Sequence, residues 1–216
     1  MILHTAPQGS PEWHQARAGC ITGSMFVTAR QRLKSGPSKG DYTDKAKDYA
    51  FRLAVERISG QPLDEGFETW AMKRGHKLEP AARAEHEVAI GVLVQPVGFV
   101  TTDDGKFGAS ADGFIGTDGG AEYKCLVSPE RLRSVILSGD LSEFTDQMQG
   151  GMWITGRKWW DFGLYCPALA PIGRQFTHYR MMRDDNYIDA LELDLIAFER
   201  LVSENEAALR NFKEAA

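Results

Sequence analysis

The stretch SADGFIGTDGGAEYKC, residues 110–125, brings two carboxylates and a lysine together in the sequence. It is typical of two short strands joined by a Gly-rich connection, with Asp112 near the end of the first strand and Glu122 and Lys124 on the second. Side chains alternate faces along a strand, so Glu122 and Lys124 point the same way and Tyr123 points to the other side. If the second strand folds back beside the first, Asp112 joins Glu122 and Lys124 in one cluster.

A cluster of this composition can bind a divalent cation. Carboxylate oxygens are the ligands that Mg²⁺ prefers, and a lysine beside the ion can orient or deprotonate a water molecule. A Glu-x-Lys pair on a strand is also common as a solvent-exposed, cross-strand charge pair. The stretch by itself therefore leaves two interpretations open, a Mg²⁺ site and an ordinary ion pair.

A second candidate site lies near the start of the chain, in WHQARAGCITGS, residues 13–24. Pro11 favours a short helix here, which Gly19 ends. Arg17 and Ser24 lie on either side of the following turn, where a guanidinium and a hydroxyl at a helix N-terminus can hold a phosphate. An ordinary helix cap and a surface arginine explain the same residues.

A third candidate, Glu79, precedes Pro80 in a helical stretch from about residue 69 to residue 88. Proline removes a backbone donor, so we expect a kink or a new helix start at this point. A carboxylate at such a break can reach a metal site. It can equally be one acidic residue of a charged helix.

Composition limits the classes of protein to consider. The 216 residues are 43% hydrophobic and 25% charged, which predicts a single domain over residues 1–216. No apolar run is long enough to cross a bilayer and the N-terminus lacks a signal pattern, so we expect a cytoplasmic protein. The three cysteines have no C-x-x-C spacing, which argues against a disulfide frame, a zinc ribbon or an iron–sulfur cluster. The net charge of −5 does not exclude a nucleic-acid partner, because the distribution of charge decides phosphate contact.

Hydrophobic periodicity predicts an α/β fold, with a central mixed β-sheet flanked by α-helices. Strands are expected at residues 91–100, within 110–125, at 158–165 and at 174–182. Helices are expected from Pro11 up to Gly19, through Met25 and Phe26 with Thr22 or Ser24 as the cap, and at residues 43–59, 69–88, 129–137, 142–154 and 185–212. The last helix carries a stripe of apolar residues at helical spacing, which indicates a face packed on the core.

The chain resembles the lambda exonuclease (YqaJ-like viral recombinase) family, within the PD-(D/E)xK nuclease superfamily. Four segments carry the resemblance, in the family's order and at its approximate spacing: WHQARAGCITGS, RGHKLEPAARAEHE, SADGFIGTDGGAEYKC and DQMQGGMWITG. The resemblance implies a restriction-endonuclease-like core. The family commonly has Pro-Asp-Gly where this chain has Ala111-Asp112-Gly113, and because proline is not a ligand this departure matters little.

The resemblance also implies roles for the acidic site. Asp112 and Glu122 match the metal-binding carboxylates, and the carbonyl of Tyr123 is an expected further ligand. Lys124 matches the lysine that positions or activates the attacking water. Glu79 matches the helix glutamate that completes the site around a second Mg²⁺, with Mn²⁺ as a possible substitute.

At the other candidate site, Arg17 and Ser24 match the arginine and serine that grip the terminal 5′-phosphate, and Gln147 matches a glutamine near the same pocket. Members of the family digest one strand of linear duplex DNA from the 5′ end. The 3′ overhang is then used by a single-strand annealing protein in recombination. A homotrimeric ring is implied, in the cytoplasm of a bacterium or a phage-infected host cell.

Two other functions fit the same residues. One is a PD-(D/E)xK endonuclease, which shares the carboxylates and lacks the end-binding pocket. The other is a non-catalytic DNA-binding module on a nuclease fold. Retention of Asp112, Glu122 and Lys124 together argues against the module, since loss of one of them is its expected mark.

Overall fold

The computed structural model describes residues 1–63 and 69–212. The helices in these ranges are α1 (Pro11–Arg17), α2 (Phe26–Ala29), α3 (Asp44–Ser59), α4 (Trp70–Ile90), α5 (Pro129–Ser138), α6 (Thr145–Thr155) and α7 (Asp185–Arg210). The strands are β1 (Ile2–His4), β2 (Ile21–Thr22), β3 (Phe99–Thr101), β4 (Phe107–Ser110), β5 (Gly113–Ile115), β6 (Gly119–Lys124), β7 (Trp159–Tyr165) and β8 (Phe176–Met182). No helix of the described ranges combines the length and the apolar character needed to cross a membrane.

The chain divides into two compact units, each assembled from separate segments. Unit 1 consists of Met1–Glu65, Gly98–Ser110 and Asp184–Ala216, and unit 2 of Gly66–Val97 and Ala111–Arg183. Each unit has its own mixed sheet with helices, which confirms the α/β class. The strands form these two sheets where one central sheet was expected, because local periodicity does not determine which strands pair. A single domain over residues 1–216 stays a prediction.

Unit 1 has a mixed sheet in the order β1-β3-β4-β2, in which β2 and β4 are parallel. Its helices α3 and α7 pack together, and α7 buries the stripe predicted from its spacing: Ile188, Leu191, Leu195, Phe198 and Val202. The Tyr49 ring of α3 stacks on Phe198, with 5.6 Å between ring centroids. Thr43 caps α3 by accepting a hydrogen bond from the amide of Ala46, and Gly60 ends the helix with a φ of 66°.

Unit 2 has a mixed sheet in the order β5-β6-β7-β8, in which β6 and β7 are parallel. Helix α4 packs over one face of this sheet, where a buried apolar cluster contains Ala82, Val94, Ile115, Ala121 and Tyr123. Helix α6 approaches β7 closely, since a Cβ added at Gly151 would lie 2.9 Å from the Trp160 ring. Because side chains alternate along β6 and Tyr123 belongs to the α4 cluster, Glu122 and Lys124 face the other way.

Two expectations about element boundaries are wrong. Helix α4 continues through Pro80, so a new helix start there is wrong, while a kink stays a prediction; packing on the sheet outweighs the roughly 3 kcal/mol that an internal proline costs. The strand expected at 91–100 is limited to Phe99 and Val100, which belong to β3. Gly91 ends α4 with a φ of 68°, and Gln95 makes an isolated bridge to Phe114.

Candidate active site

The β5–β6 hairpin of unit 2 places Glu122 and Lys124 on one strand as predicted, whereas Asp112 directly precedes β5 and does not lie near the end of that strand as expected. Gly113 pairs with Ala121 in an antiparallel register, and the Asp112 amide donates to the Ala121 carbonyl at 3.0 Å. Asp112 therefore lies beside β6. On the same face of β6, the Lys124 Nζ donates to Glu122 Oε1 at 2.6 Å. The hairpin thus brings the three side chains into one region.

The carboxylates in this region repel one another. Burial, followed by repulsion from Glu122 and Glu79, raises the pKa of Asp112 well above its ordinary value. Its Oδ2 atom accepts a hydrogen bond from the Tyr123 amide at 2.6 Å. The Glu122 side chain is also buried, with 4% of its surface exposed. An added positive charge is therefore the natural stabiliser of this site.

Helix α4 contributes Glu79 and a residue that the sequence did not single out, Arg83. The Arg83 Nη2 donates to Glu79 Oε1 at 2.8 Å and lies 3.4 Å from the Asp112 carbonyl. Burial and nearby Glu122 raise the pKa of Glu79, and Arg83 opposes the shift. The spacing of four residues on one helix face was a signal for this pair, although the sequence did not indicate the contact with Asp112.

Lys124 is a cation in this arrangement. Burial alone lowers the pKa of its ammonium group, but attraction to Glu122 and Asp112 outweighs burial and raises it. Gln147 of α6 holds both partners of the pair: its Nε2 donates to Glu122 Oε1 at 2.7 Å, and its Oε1 accepts from Lys124 Nζ at 3.3 Å. Gln147 was expected beside a phosphate, and its hydrogen bonds in unit 2 are to the acidic site.

On the opposite face of β6, Tyr123 belongs to a series of hydrogen-bonded polar side chains that the sequence did not indicate. The ring of His86, which is 0% exposed, lies with Nδ1 3.0 Å from Tyr123 Oη and Nε2 3.2 Å from Asp161 Oδ2. A carboxylate only accepts, so Nε2–H donates to Asp161, and in a neutral ring Nδ1 then accepts from the Tyr123 hydroxyl. Arg180 donates to both Asp161 oxygens, at 2.8 and 2.9 Å, and its guanidinium covers the Trp159 ring.

Replacing Arg180 with methionine is expected to destabilise the protein by about 3 kcal/mol at neutral pH, because a buried carboxylate loses its cation. Burial alone raises the pKa of Asp161, but hydrogen bonds from Arg180 and His86 lower it below its ordinary value. The pairing therefore stabilises the fold above the unfolded value of about 3.9, and this stabilisation is lost as the pH falls through the lower folded value. Urea unfolding between pH 7 and pH 3 measures the effect, which we expect to shrink towards acid.

Lys158→Met is the matched control, because Lys158 pairs with Asp118 in the same unit and its side chain is 69% exposed. Breaking such a surface pair costs less than about 1 kcal/mol. An Arg180→Met protein as stable at pH 7 as the Lys158→Met protein would contradict a stabilising role for this series of hydrogen-bonded side chains.

Unit 1 contains the other two predicted site residues, Arg17 and Ser24. The Arg17 Nη1 donates to Ser110 Oγ at 2.8 Å, and the guanidinium lies 4.1 Å from the Trp13 ring centroid and 5.3 Å from that of Phe99. Among the described residues, no carboxylate is hydrogen-bonded to Arg17. Burial lowers the pKa of this guanidinium, which nevertheless stays charged. Ser24 is exposed in the one-turn 3-10 helix Gly23–Met25.

The donor set of unit 2 fits a divalent cation by its chemistry. Asp112, Glu122 and Glu79 offer hard carboxylate oxygens, and a bound cation relieves the repulsion among these neighbouring carboxylates. Within residues 1–63 and 69–212, no three His, Cys, Asp or Glu side chains are already arranged as a metal cluster. Each of the three carboxylates accepts instead from a donor of the chain: the Tyr123 amide, Lys124 with Gln147, and Arg83.

Comparison with known proteins identifies a matching family and similar solved structures. Residues 12–158 match the YqaJ-like viral recombinase domain, and this range includes every predicted site residue. An alkaline exonuclease from Laribacter hongkongensis is 31% identical, over 93% of this chain and 97% of that chain, with a TM-score of 0.78. Its complex with dAMP has the same identity and coverage and a TM-score of 0.80.

A third structure is similar in fold alone. The phage related exonuclease from Haemophilus somnus 129PT is 17% identical, over 88% of this chain and 96% of that chain, with a TM-score of 0.67. No curated protein matches the chain. The family match extends over the hairpin, α4 and α6, and so over the residues of the acidic site. The chain therefore belongs to the YqaJ-like viral recombinase family and is a nuclease with the α/β fold of the alkaline exonucleases.

Proposed function

We propose that this nuclease is a Mg²⁺-dependent exonuclease that digests one strand of linear double-stranded DNA in the 5′-to-3′ direction. It leaves a 3′ single-stranded overhang for recombination by strand annealing. The proposal treats residues 1–216 as a single nuclease domain. The observation that carries it is the group of Asp112, Glu122 and Lys124 on one hairpin, with Glu122 buried and Glu79 close enough to raise the pKa of Asp112.

In this proposal the acidic residues hold the metal and the lysine acts on the attacking water. Bound Mg²⁺ supplies Lewis-acid stabilisation of the phosphate and lowers the pKa of water; two ions are expected, with Mn²⁺ as a substitute. Asp112, Glu122 and the Tyr123 carbonyl are the proposed ligands, with Glu79 completing the site. Lys124, a cation, orients the water and stabilises negative charge on the reacting phosphate.

Arg17 supports an exonuclease over an endonuclease. A partly buried guanidinium without a carboxylate partner among the described residues favours an anion, and a terminal phosphate is such an anion. We propose that Arg17 and Ser24 hold the 5′-phosphate of the strand being digested. Binding of the terminal phosphate would restrict digestion to strand ends. The related alkaline exonuclease binds dAMP, a nucleotide of the kind released from DNA.

Replacing Gln147 with leucine is expected to slow cleavage of 5′-phosphorylated and 5′-hydroxyl ends by the same factor, roughly ten- to a hundredfold. The reason is that Gln147 hydrogen-bonds Glu122 and Lys124, so its loss disorders residues needed for both substrates. Initial rates on the two DNAs measure the factor. A selective loss on the phosphorylated end would return Gln147 to the 5′-phosphate pocket, the role implied by the family resemblance.

The remaining elements of the proposal concern partners. The proposed substrate is a double-stranded DNA end. Resemblance to the family supports a single-strand annealing protein as partner and a trimeric ring as the assembly.

Digestion of end-labelled linear duplexes that differ only at the 5′ terminus tests the proposal. With Mg²⁺, a 5′-phosphorylated duplex should lose nucleotides progressively from that end, a 5′-hydroxyl duplex should react more slowly, and a covalently closed circle should stay intact. EDTA should stop the reaction.

Cleavage of the closed circle, or equal rates on both ends, would favour an endonuclease. Stability of all three DNAs with Mg²⁺, with EDTA and in a Lys124→Ala protein would favour a non-catalytic DNA-binding module.

A further inference from the structure

The turn between Arg17 and Ser24 is fixed by hydrogen bonds to both backbone polar groups of Gly19, its amide and its carbonyl. Its amide donates to Glu56 Oε2 at 2.8 Å, and its carbonyl accepts from Arg57 Nε at 2.8 Å. The φ of Gly19 is +71°, and an added Cβ would lie 2.5 Å from the Arg57 Cγ. Glu56 and Arg57, neighbours on α3, thus fix this backbone by hydrogen bonds. The positive φ and the lack of room for a Cβ both favour glycine at this position.

The two holding side chains are themselves fixed by charged partners. Glu56, 3% exposed, accepts through Oε1 from Arg52 at 2.8 Å and from the Leu63 amide at 3.2 Å. Arg57 donates to both oxygens of Glu199 on α7, at 2.9 and 2.7 Å. A bidentate pair of this kind fixes the plane of the guanidinium and therefore the direction of its remaining Nε–H.

Stability alone does not explain this network of ion pairs between two helices. Apolar residues of similar volume usually stabilise a buried position as well as an ion pair does. Helices α3 and α7 already share apolar contacts such as Tyr49 with Phe198. Tyr49 also reaches the turn, since its hydroxyl accepts from the Thr22 amide at 3.2 Å. The contacts from α3 therefore fix the segment that joins Arg17 to Ser24.

We propose that Glu56 and Arg57 are positioning residues, which set the distance and orientation between Arg17 and Ser24 needed to bind a terminal 5′-phosphate. The inference rests on the proposed function, because it assigns the phosphate to these two residues. Neither Glu56 nor Arg57 touches the phosphate; both act through Gly19. Small displacements of a binding group lower rates by large factors, so a loosened turn lowers the selectivity for the phosphorylated end.

The ratio of kcat/KM on 5′-phosphorylated and 5′-hydroxyl duplexes tests this role, because a smaller folded fraction lowers both values and leaves the ratio unchanged. Glu56→Ala is expected to lower the ratio roughly tenfold or more, mostly by slowing the phosphorylated substrate. Arg57→Lys, which keeps a cation for Glu199 and removes the Nε–H donor, should act in the same direction if Glu56→Ala folds poorly. Asp194→Ala is the control, since it removes the Arg30 ion pair of the same unit, at 2.8 Å, away from Gly19.

Arg17→Met separates this inference from the proposed function. If the wild-type ratio is high and Arg17→Met lowers it, an unchanged ratio in the Glu56→Ala and Arg57→Lys proteins overturns the positioning role alone. If the wild-type protein does not distinguish the two ends, the proposed phosphate site and the positioning role both fail. In the Arg17→Met background, Glu56→Ala should produce no further change in the ratio, and a further drop there would also contradict the inference.

Discussion

Replacing Asp112 with asparagine is expected to abolish DNA cleavage and, without divalent ions, to raise the thermal stability of the protein. Burial and repulsion from Glu122 and Glu79 raise the pKa of the Asp112 carboxyl. For an acid whose folded pKa lies above its unfolded value of about 3.9, stability falls as the pH rises between the two values. Asparagine removes the charge, and its amide oxygen can still accept the Tyr123 amide that Asp112 accepts at 2.6 Å.

The expected changes are large enough to measure separately. Cleavage should fall about a thousandfold or more, equivalent to about 4 kcal/mol of transition-state stabilisation. In EDTA at neutral pH, the free energy of unfolding should rise by about 1 kcal/mol. Asp118→Asn is a matched control, because Asp118 lies at the turn of the same hairpin and its side chain is 47% exposed. An Asp112→Asn protein that cleaves DNA within tenfold of wild type would contradict the assigned role.

Replacing Lys124 with methionine is expected to lower the cleavage rate about a hundred- to a thousandfold while strengthening the binding of a divalent cation. The two effects have one cause. The Lys124 ammonium is held by Glu122, with 2.6 Å between Nζ and Oε1, so it competes with a metal ion for that oxygen. Removing the cation takes away this competitor and leaves the Gln147 hydrogen bond to the same oxygen, and it also removes the group that orients water and stabilises charge.

Single-turnover cleavage as a function of Mg²⁺ concentration separates the two effects of Lys124→Met. The maximal rate should fall and the half-saturating Mg²⁺ concentration should fall with it. Lys158→Met is the control, since Lys158 is exposed and lies outside the acidic site. A Lys124→Met protein that needs more Mg²⁺, or one that keeps the wild-type rate, would contradict this account.

The hairpin geometry of Asp112, Glu122 and Lys124 could be predicted because it depends on local patterns. Alternation along a strand puts Glu122 and Lys124 on one face, and a Gly-rich connection favours a tight return of the chain. The apolar stripe of α7 was predictable for the same reason, since helical spacing defines a buried face. The sequence also offered Glu79, Arg17 and Ser24 as candidates, each with an ordinary explanation beside it, and the family resemblance implied their roles.

The contacts that support these residues could not be predicted, because they join positions far apart in the sequence. His86 and Asp161 pair across α4 and β7, and the Arg57–Glu199 pair joins α3 to α7. A charged residue in a helix has the same local pattern whether it faces water or a buried partner. Pro80 was misleading for a related reason, since the packing that keeps α4 continuous involves residues of the distant sheet.

The most direct test of the central claim is to titrate Mn²⁺ into the protein without DNA and to measure the free ion at each step by electron paramagnetic resonance. The claim is that Asp112, Glu122 and Glu79 form the site that holds the catalytic metal. The wild-type protein should bind Mn²⁺, Mg²⁺ should displace it, and Asp112→Asn and Glu122→Gln should each remove most of the binding. Wild-type affinity for Mn²⁺ in both variants would contradict the claim.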